Sequence, residues 1–524
     1  MVVELALTAL TVDVGHVCCT AARGSRPGYT ATPGAKKTAG RERDAAVKPS
    51  RLLQRGESCF NRFMAMKACL RFGRLFPLLL IVAAWFLLAD CAAGATPGAS
   101  TPLQRRSVAI AARLRSAIAA RAGKSTSPGQ LLQQCPPEVR GTCFTPAQVR
   151  AAYGVDQLAA QGIDGTGQSV VVIVSFGSPT VQQDVAAFDR ATGLPDAQVD
   201  EEYPLGQDFS NAGGCPGNDR QGWAEETTLD VEWIHAIAPG ARIIVLASPV
   251  SETEGVTGMP EFLALERYAR DNALGSIISQ SWGTSEDLLA DDAGAALRAR
   301  FDAFYADATQ SDLTIFSASG DSGLLGDTPD CGVSSSVSAG WPATEPDVTS
   351  VGGTVLSLNP DGSYGSERVL QSAGLAGGSG ISAFYAEPQA QSLLPDAVQQ
   401  QLQGMRGEPD VSAVGAGLLV YASGSDAQGP SPRAIGGTSA STPIWAGIAA
   451  LAAQAAGGPL GNINPALYAI GASGRCFHDV TAGANTFHGN SGEAAGPGWD
   501  LATGWGSPDA SCLVPMLAAM VTGG

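Results

Sequence analysis

Residues 223–241 read WAEETTLDVEWIHAIAPGA and predict a helix that carries two acidic residues on one face. Glu226 and Asp230 lie four residues apart, so on a helix turning about 100° per residue they lie only about 40° apart around its axis. Two carboxylates at this spacing repel each other and weaken an isolated helix by about a few tenths of a kcal/mol. The pair is therefore either a solvated acidic face or a group with a chemical use.

Two other segments favour a chemical use. Residues 436–443 read GGTSASTP, a turn that places Ser439 at the start of an Ala-rich helix, and residues 317–323 read SASGDSG and contain Asp321. Nucleophilic serine catalysis needs a hydroxyl at a helix N-terminus, a base to take its proton and donors for the oxyanion. Ser439 meets the first requirement, although a simple helix N-cap is an alternative for a serine in this position.

Apolar strands alternate with helical runs from Thr145 onward. Strands are predicted at 169–176, 242–247, 276–282, 313–318 and 417–421, and helices at 180–192, 261–272, 288–309 and 439–455. This alternation predicts a parallel sheet covered on both faces, in which ligands bind beyond the carboxyl ends of the strands. Asp321 follows one of these strands and Ser439 opens the helix after another, so both are predicted at that rim.

Histidines do not supply a base in the usual positions. The sequence contains only His16, His235, His478 and His488. A subtilisin-type site would place Asp at the end of the first strand and His at the start of a Gly-rich helix. The first strand here ends without Asp, and His235 lacks a Gly-rich context, so we interpret it as a structural helix residue.

The segments ETTLDVEWIHAIAPGA, SQSWG, SASGDSG and GGTSASTP, in this order, resemble the sedolisin family of serine-carboxyl peptidases. The resemblance covers roughly residues 145–512. It implies an α/β, subtilisin-like fold with a largely parallel central sheet and helices on both faces. It also implies that Ser, Glu and Asp replace the usual triad.

The resemblance implies a role for each matching residue. Ser439 is the expected nucleophile, Glu226 the general base and then acid, Asp230 the residue that orients Glu226, and Asp321 the oxyanion-hole member. The substrate cleft is expected to be lined by Ser279, Gln280, Ser281, Trp282 and Gly283. The neighbouring Glu225 is excluded because its partner one turn on is Leu229.

The chemistry of these carboxyl groups favours acidic conditions. A glutamate in water takes a serine proton poorly, but burial and an adjacent acid raise its proton affinity. Asp321 can donate a hydrogen bond to an oxyanion only while it is protonated. We therefore expect an acidic pH optimum, with activity lost as Asp321 and the Glu226–Asp230 pair ionise.

The C-terminal segments CFHDVTAG at 476–483 and GPGWDLATGWGSP at 496–508 also resemble the family, in which this region encloses a calcium ion. The resemblance implies one structural Ca²⁺ with hard oxygen ligands, a donor set that suits this ion. The expected ligands are the carboxylates of Asp479 and Asp500 and the backbone carbonyls of Val480, Gly496 and Gly498. An ordinary Gly-rich loop is the alternative.

Charge is distributed unevenly along the chain. Residues 1–95 carry a net charge of +7, and the remainder carries −24. A body this acidic argues against nucleic acid and anionic membrane surfaces as partners.

Four segments are predicted along the chain. Basic residues precede the apolar run 75–89, and small residues follow it at 93–95, so we expect 64–95 to be a secretory signal. A membrane anchor is the alternative, but this run is shorter than the roughly 20 residues that a spanning helix needs. Residues 1–63 are expected to be untranslated or disordered, 96–144 to form a short linker or pro-like segment, and 145–524 to form the peptidase domain.

Six cysteines follow the predicted signal, and an even number in an exported chain favours disulfides. Six cysteines allow 15 pairings in principle. We expect Cys135 to pair with Cys143, because eight residues close an easy loop, and Cys476 to pair with Cys512. Buried free thiols are the alternative.

The sequence thus predicts a secreted or periplasmic, monomeric serine-carboxyl endopeptidase that cleaves protein or peptide substrates. It predicts no nucleic-acid partner and no stable membrane association after signal cleavage. A catalytically silent relative that binds peptides is the main alternative. A hydrolase with a nucleophile elbow is disfavoured, because no Gly-x-Ser-x-Gly turn is present.

Overall fold

The structure is a computed structural model that describes residues 135, 143–209, 213–215, 219–252, 255–372, 374–424 and 429–522. The predicted segments 1–63 and 64–95, and nearly all of 96–144, lie outside the described residues. Within the described ranges, no helix combines the length and the apolar character needed to span a membrane.

Ten helices and twenty strands are found in the described part of the chain. The helices are α1 (Pro146–Ala152), α2 (Val155–Ala159), α3 (Val181–Thr192), α4 (Asp219–Ile237), α5 (Met259–Asp271), α6 (Asp292–Gln310), α7 (Asp396–Leu402), α8 (Thr438–Ala456), α9 (Asn464–Ala472) and α10 (Ala510–Thr522). The strands are β1 (Ser169–Ser175), β2 (Gln198–Glu202), β3 (Arg242–Ser248), β4 (Ile277–Gln280), β5 (Thr284–Ser285), β6 (Thr314–Ala318), β7 (Leu325–Asp327), β8 (Val333–Val337), β9 (Gly340–Trp341), β10 (Thr349–Leu358), β11 (Tyr364–Val369), β12 (Gln371–Ser372), β13 (Leu375–Ala376), β14 (Gly380–Ala386), β15 (Met405–Glu408), β16 (Val411–Val414), β17 (Leu418–Ser423), β18 (Pro430–Ile435), β19 (Phe477–His478) and β20 (Ser507–Pro508).

The central sheet has eight strands in the order β11-β10-β6-β4-β1-β3-β2, with β16 also paired to β10. Every pairing in it is parallel except β10 with β11. In the middle of the sheet, Val170 pairs with Ile243 on one side and with Ile277 on the other. The predicted, largely parallel sheet is therefore confirmed.

The side chains of β1 show why helices cover both faces. From Val170 onward every residue of β1 is buried. Val170 belongs to the core formed with α4 and α8, whereas Val171 belongs to the core formed with α5 and α6. Because successive side chains of a strand point to opposite faces, a continuous apolar strand needs an apolar layer on each side.

Helix α8 crosses the core and packs against α4. Every residue from Ala440 to Ala453 is buried, so this helix is apolar around its whole circumference. At Gly447, an added Cβ would lie 2.7 Å from the Cβ of Ile237, so the absence of a side chain allows the two backbones to approach closely. This packing brings the start of α8 close to the acidic residues of α4.

One predicted strand is placed differently. The segment predicted at 417–421 forms β17, but β17 pairs with β18 in an antiparallel ribbon outside the central sheet. Its apolar residues pack on α3 and α4 and not between parallel neighbours, and an apolar run alone does not distinguish these environments. Ser439 therefore follows this ribbon and not a strand of the central sheet.

Three disulfides join the six cysteines. Cys135 with Cys143 and Cys476 with Cys512 confirm the two predicted pairs. The third disulfide joins Cys215 to Cys331 across 116 residues.

Candidate active site

Helix α4 carries both Glu226 and Asp230. Asp230 is completely buried, and Glu226 is partly exposed. Glu225 lies on a different face of the helix, where its Oε1 accepts a hydrogen bond of 2.6 Å from Arg433 Nη1. Glu225 is therefore separated from Glu226 and Asp230 around the helix, as the sequence predicted.

His235 is a buried structural residue of the same helix. Its Nε2 lies 2.9 Å from the carbonyl oxygen of Pro195 and 3.1 Å from Asp189 Oδ1. These contacts hold the imidazole on the side of α4 that faces α3, so it does not serve as a base for Ser439.

Ser439 lies in the first turn of α8. The helix begins at Thr438 and its N-cap is Gly437, so Ser439 does not act as the N-cap. The hydroxyl of Ser439 lies close enough to the carboxyl group of Glu226 for hydrogen bonding between them to lower the pKa of Glu226. The nucleophile candidate and the base candidate, which are 213 residues apart in the sequence, are thus in direct contact.

Ser281 connects the acidic residues to the start of α8. Its Oγ donates to Asp230 Oδ1 at 2.7 Å and lies 3.3 Å from the backbone oxygen of Ser439. The same hydroxyl also contacts Glu226. Since Ser281 is itself only 8% exposed, its hydroxyl is a fixed part of the site and not a mobile surface group.

Burial changes the proton affinity of both acids of α4. It raises the pKa of Glu226 to about 8, with hydrogen bonding to the Ser439 hydroxyl acting in the opposite direction. Burial, together with the charge of Glu226, raises the pKa of Asp230. Glu226 Oε1 and Asp230 Oδ2 are buried oxygens that lack a hydrogen-bond partner among the described residues. Two neighbouring carboxyls in this situation favour sharing one proton.

Asp321 faces the start of α8 from the loop after β6. Its Oδ1 accepts hydrogen bonds from the backbone N–H of Thr438 at 2.7 Å and from the Thr438 hydroxyl at 3.1 Å. Its Oδ2 lies so close to Gly437 that an added Cβ there would be 2.6 Å away. Burial raises the pKa of Asp321, so this carboxyl can keep a proton on Oδ2 while Oδ1 accepts from Thr438.

Thr438 is a residue of the candidate site that the sequence analysis did not single out. Its hydroxyl and its N–H orient Asp321, and its hydroxyl also bonds to the backbone of Gly320. The only signal in the sequence was its position beside Ser439 in the GGTSASTP segment.

Two cavities meet at the site. The first, of about 220 Å³, is bordered by Ser439 and Asp321, and the second, of about 510 Å³, is bordered by Glu226. Trp223, Asp219 and Glu252 border the second cavity as well. The catalytic candidates therefore lie where the two cavities adjoin.

The segment predicted to line the cleft divides into two parts. Ser281, Trp282 and Gly283 border both cavities. Ser279 and Gln280 border neither; both are completely buried, and Gln280 Nε2 donates to Glu266 beneath the sheet rim. They belong to β4, which is covered on both faces, whereas the next three residues leave the sheet.

Four of the five predicted calcium ligands are linked in pairs by hydrogen bonds. Asp500 Oδ2 accepts from the N–H of Gly496 at 2.8 Å, and Asp479 Oδ2 accepts from the N–H of Gly498 at 2.9 Å. Burial raises the pKa of Asp500 to about 6, so a bound cation would stabilise its charged form. The described residues contain no group of three or more His, Cys, Asp and Glu suited to a metal. The expected Ca²⁺ ligands are two carboxylates and the backbone oxygens of Val480, Gly496 and Gly498. A set made up of oxygen atoms alone suits a hard cation.

Comparisons with known proteins support the family resemblance and the fold. Residues 211–469 match the subtilase family. Kumamolisin from Bacillus sp. (strain MN-32) is 30% identical over 372 residues, covering 70% of this chain and 62% of that protein. Sedolisin from Pseudomonas sp. (strain 101) is 33% identical over 361 residues, covering 66% and 57%. The chain thus spans about three fifths of the length of these curated relatives.

A solved structure is similar over most of the described chain. The structure of Pseudomonas sedolisin, a serine-carboxyl proteinase complexed with two molecules of pseudo-iodotyrostatin, matches with a TM-score of 0.58 at 27% identity. The match covers 71% of this chain and 97% of that chain.

Proposed function

Because this chain belongs to the sedolisin family and has its subtilisin-like fold, we propose that it is a serine-carboxyl endopeptidase that hydrolyses peptide bonds at acidic pH. The observation that carries the proposal is the contact between the Ser439 hydroxyl and the Glu226 carboxyl at the junction of two cavities. A hydroxyl beside a buried carboxyl of raised pKa is the pairing that nucleophilic catalysis requires.

In the first step, Glu226 takes the proton of Ser439 as Oγ bonds to the carbonyl carbon of the scissile peptide. Burial raises the proton affinity of Glu226, so its ionised form is a stronger base than that of an ordinary glutamate. Ser281 donates to Asp230 and contacts Glu226, so it keeps the two carboxyls in register during the transfer.

The carbonyl oxygen gains negative charge as this bond forms. Protonated Asp321 would donate from Oδ2 to that oxygen, while Thr438 holds Oδ1. Glu226 then returns the proton to the leaving amine, and the peptide bond breaks. Glu226 then takes a proton from a water molecule, whose oxygen bonds to the acyl carbon, and returns this proton to Ser439 Oγ as the ester bond breaks.

The protons that these steps need set the upper limit of the active pH range. The active form holds one proton in the Glu226–Asp230 pair and one on Asp321. Raised pKa values keep Asp321 protonated further toward neutral pH than an ordinary aspartate, and activity falls when it ionises.

We further propose that the protein is exported and binds one Ca²⁺ through Asp479, Asp500 and the carbonyls of Val480, Gly496 and Gly498. Three disulfides in the described chain support an oxidising compartment.

A bound ion would neutralise the two carboxylates of the C-terminal loop. Removing calcium with EDTA should lower the melting temperature by several degrees, and adding Ca²⁺ but not Mg²⁺ should restore it. An unchanged melting temperature would contradict the calcium site.

The catalytic proposal is tested by digestion of denatured protein at acidic pH. Wild type should release peptides and Ser439→Ala should release none, because the nucleophile is absent. Ser392→Ala, an exposed serine outside both cavities, is the matched control and should cut like wild type. Cleavage by Ser439→Ala would refute the assignment. If neither wild type nor Ser439→Ala cuts while both bind peptide, the protein is a silent peptide-binding relative.

A further inference from the structure

Asn485 is a buried polar residue that borders neither of the two cavities. It lies on a loop of residues 483–495, closed by a hydrogen bond of 3.1 Å from the N–H of Ala495 to the carbonyl oxygen of Gly483. We refer to this segment as the Asn485 loop. The side chain of Asn485 is completely buried, and none of the proposed catalytic steps uses it.

The amide of Asn485 joins its own loop to a second backbone segment. Nδ2 donates to the carbonyl oxygen of Gly377 at 2.8 Å and to Ser379 Oγ at 2.7 Å. Oδ1 accepts a hydrogen bond of 2.7 Å from the N–H of Glu493. Because both donors and the acceptor oxygen are engaged, the amide is fixed in orientation and holds residues 377–379 against the Asn485 loop.

Residues 376–379 lie directly against the loop that carries Asp321. The N–H of Ala376 donates to the backbone carbonyl of Asp321 at 2.9 Å, and the N–H of Gly378 donates to that of Gly320 at 2.6 Å. The backbone position of Asp321 therefore depends on where residues 376–379 lie.

The Asn485 loop also approaches the Asp321 loop directly, at Gly323. Gly323 has a φ of +65°, and an added Cβ there would collide with the backbone oxygen of Asn485. Glycine permits both this backbone conformation and the close approach. The two segments that Asn485 supports together border the first cavity, through Gly320, Asp321, Ser322, Gly323, Gly378 and Ser379.

The proposed role of Asp321 depends on its exact position. Thr438 holds the carboxyl group of Asp321, whereas Ala376 holds its backbone. A catalytic group that is misplaced by about 1 Å can lose about 100-fold in rate. Asn485 fixes the segment that supplies the backbone contact, so its amide bears on the alignment of Asp321.

We infer that Asn485 is a positioning residue, which aligns Asp321 with the oxyanion by fixing residues 377–379 behind it. The inference rests on the proposed peptidase function and adds to it a residue that acts without touching substrate. Because Asp321 stabilises the transition state and not the bound substrate, the loss of Asn485 should affect kcat more than KM.

The first test is peptide hydrolysis by Asn485→Ala at the acidic optimum. We expect kcat to fall by about 10-fold and KM to change by less than about twofold, a smaller loss than that of an oxyanion donor itself.

Asn464→Ala is the matched control for this test. Asn464 is also buried and borders neither cavity; its Nδ2 donates to the carbonyl of Val348 at 2.9 Å, and its Oδ1 accepts from Thr349 Oγ1 at 2.7 Å. Both variants lose buried hydrogen bonds and should have lower melting temperatures than wild type. Only Asn485→Ala should lose kcat.

The second test compares inhibition by a peptide aldehyde and by the alcohol of the same sequence. Ser439 Oγ bonds to the aldehyde carbon, and the serine proton passes through Glu226 to the former carbonyl oxygen, which then lies beside Asp321. The alcohol forms no such bond. Asn485→Ala should weaken inhibition by the aldehyde about 10-fold and leave inhibition by the alcohol unchanged. Asn464→Ala should change neither.

The outcomes separate the inference from the proposed function. A kcat that is unchanged in Asn485→Ala, or lowered equally in Asn464→Ala, overturns the inference and leaves the peptidase function intact. Equal weakening of the aldehyde and the alcohol also overturns it. Wild type that cuts neither peptides nor denatured protein refutes the peptidase function itself.

Asn485→Asp decides the question if Asn485→Ala does not fold. At acidic pH its protonated carboxyl keeps the acceptor oxygen and one of the two donors. It should therefore show a smaller loss of kcat, again with KM nearly unchanged. A kcat equal to that of wild type in this variant would overturn the inference.

Discussion

The Glu226–Asp230 pair at the candidate active site and the buried Glu367 differ in what surrounds their oxygens, although burial raises the pKa of all three acids. Glu367 is buried and receives hydrogen bonds from the hydroxyls of Tyr153, Thr354 and Ser507. In the Glu226–Asp230 pair, each carboxyl keeps one buried oxygen without a partner in the described part of the chain. Of these three acids, only Glu226 interacts with the Ser439 hydroxyl and borders one of the two cavities.

A raised pKa therefore does not identify a catalytic acid by itself. The donors around Glu367 occupy its oxygens and fix its position, so it connects α1, β10 and β20 and has no access to substrate. The Glu226–Asp230 pair has unsatisfied oxygens beside a nucleophile, an arrangement that lowers stability in exchange for reactivity. Three predictions test this difference, in order of decreasing effect.

Glu226→Gln should lower kcat/KM by roughly 10²- to 10⁴-fold, because glutamine cannot accept the Ser439 proton. Glu367→Gln makes the same chemical change in the other acid and should leave kcat/KM unchanged. The measurement is peptide hydrolysis at the acidic optimum. Equal losses in the two variants would mean that the distinction drawn between the two acids is wrong.

Asp321→Asn should lower kcat/KM by about 10-fold at the optimum and shift the upper limb of the pH profile to higher pH. The amide keeps an oxygen for Thr438 and donates from nitrogen at every pH, whereas Asp321 donates only below its raised pKa. The measurement is kcat/KM as a function of pH for both proteins. An upper limb that does not move would show that Asp321 does not set it.

The free energy of unfolding should decrease as pH rises from about 4.5 to 8. Burial raises the pKa of Glu266, Glu345 and Glu408 to about 8 from an ordinary value of 4.5. Between these values the folded protein binds more protons than the unfolded chain, so stability is fully present below the unfolded pKa and is lost through the folded one.

Glu367→Gln tests the predicted loss of stability with rising pH at a single buried acid. Glutamine resembles the protonated carboxyl, so the decline in melting temperature with pH should be smaller than in wild type by a few degrees. Asp196→Asn, at an exposed position, should show the wild-type slope. Scanning calorimetry across this pH range measures both. A wild-type melting temperature that rises toward pH 8 would contradict the predicted direction.

Much of the fold was predictable because its signals are local. The uninterrupted apolar residues of β1 predict a strand that is buried on both faces, and the structure confirms it. The four-residue spacing predicts that Glu226 and Asp230 share a helix face away from Glu225. The eight-residue spacing of Cys135 and Cys143 predicts their disulfide.

Other features depend on packing that no local pattern records. Ser279 and Gln280 are polar residues of the kind that also line clefts. They are buried because they belong to β4, whereas Ser281 follows the end of this strand. The ribbon position of β17 depends on its contacts with α3 and α4. Cys215 and Cys331 pair across a distance in sequence that gives no preference among partners.

The amino-acid sequence by itself determined the class of the fold and the types of chemical group available, because periodicity and residue type are properties of neighbouring positions. Only the tertiary structure decided that Ser439, Glu226, Ser281 and Asp321 meet at one rim. That arrangement follows from the order of parallel strands and from the close approach of α8 to α4, and these depend on contacts between residues far apart in the chain.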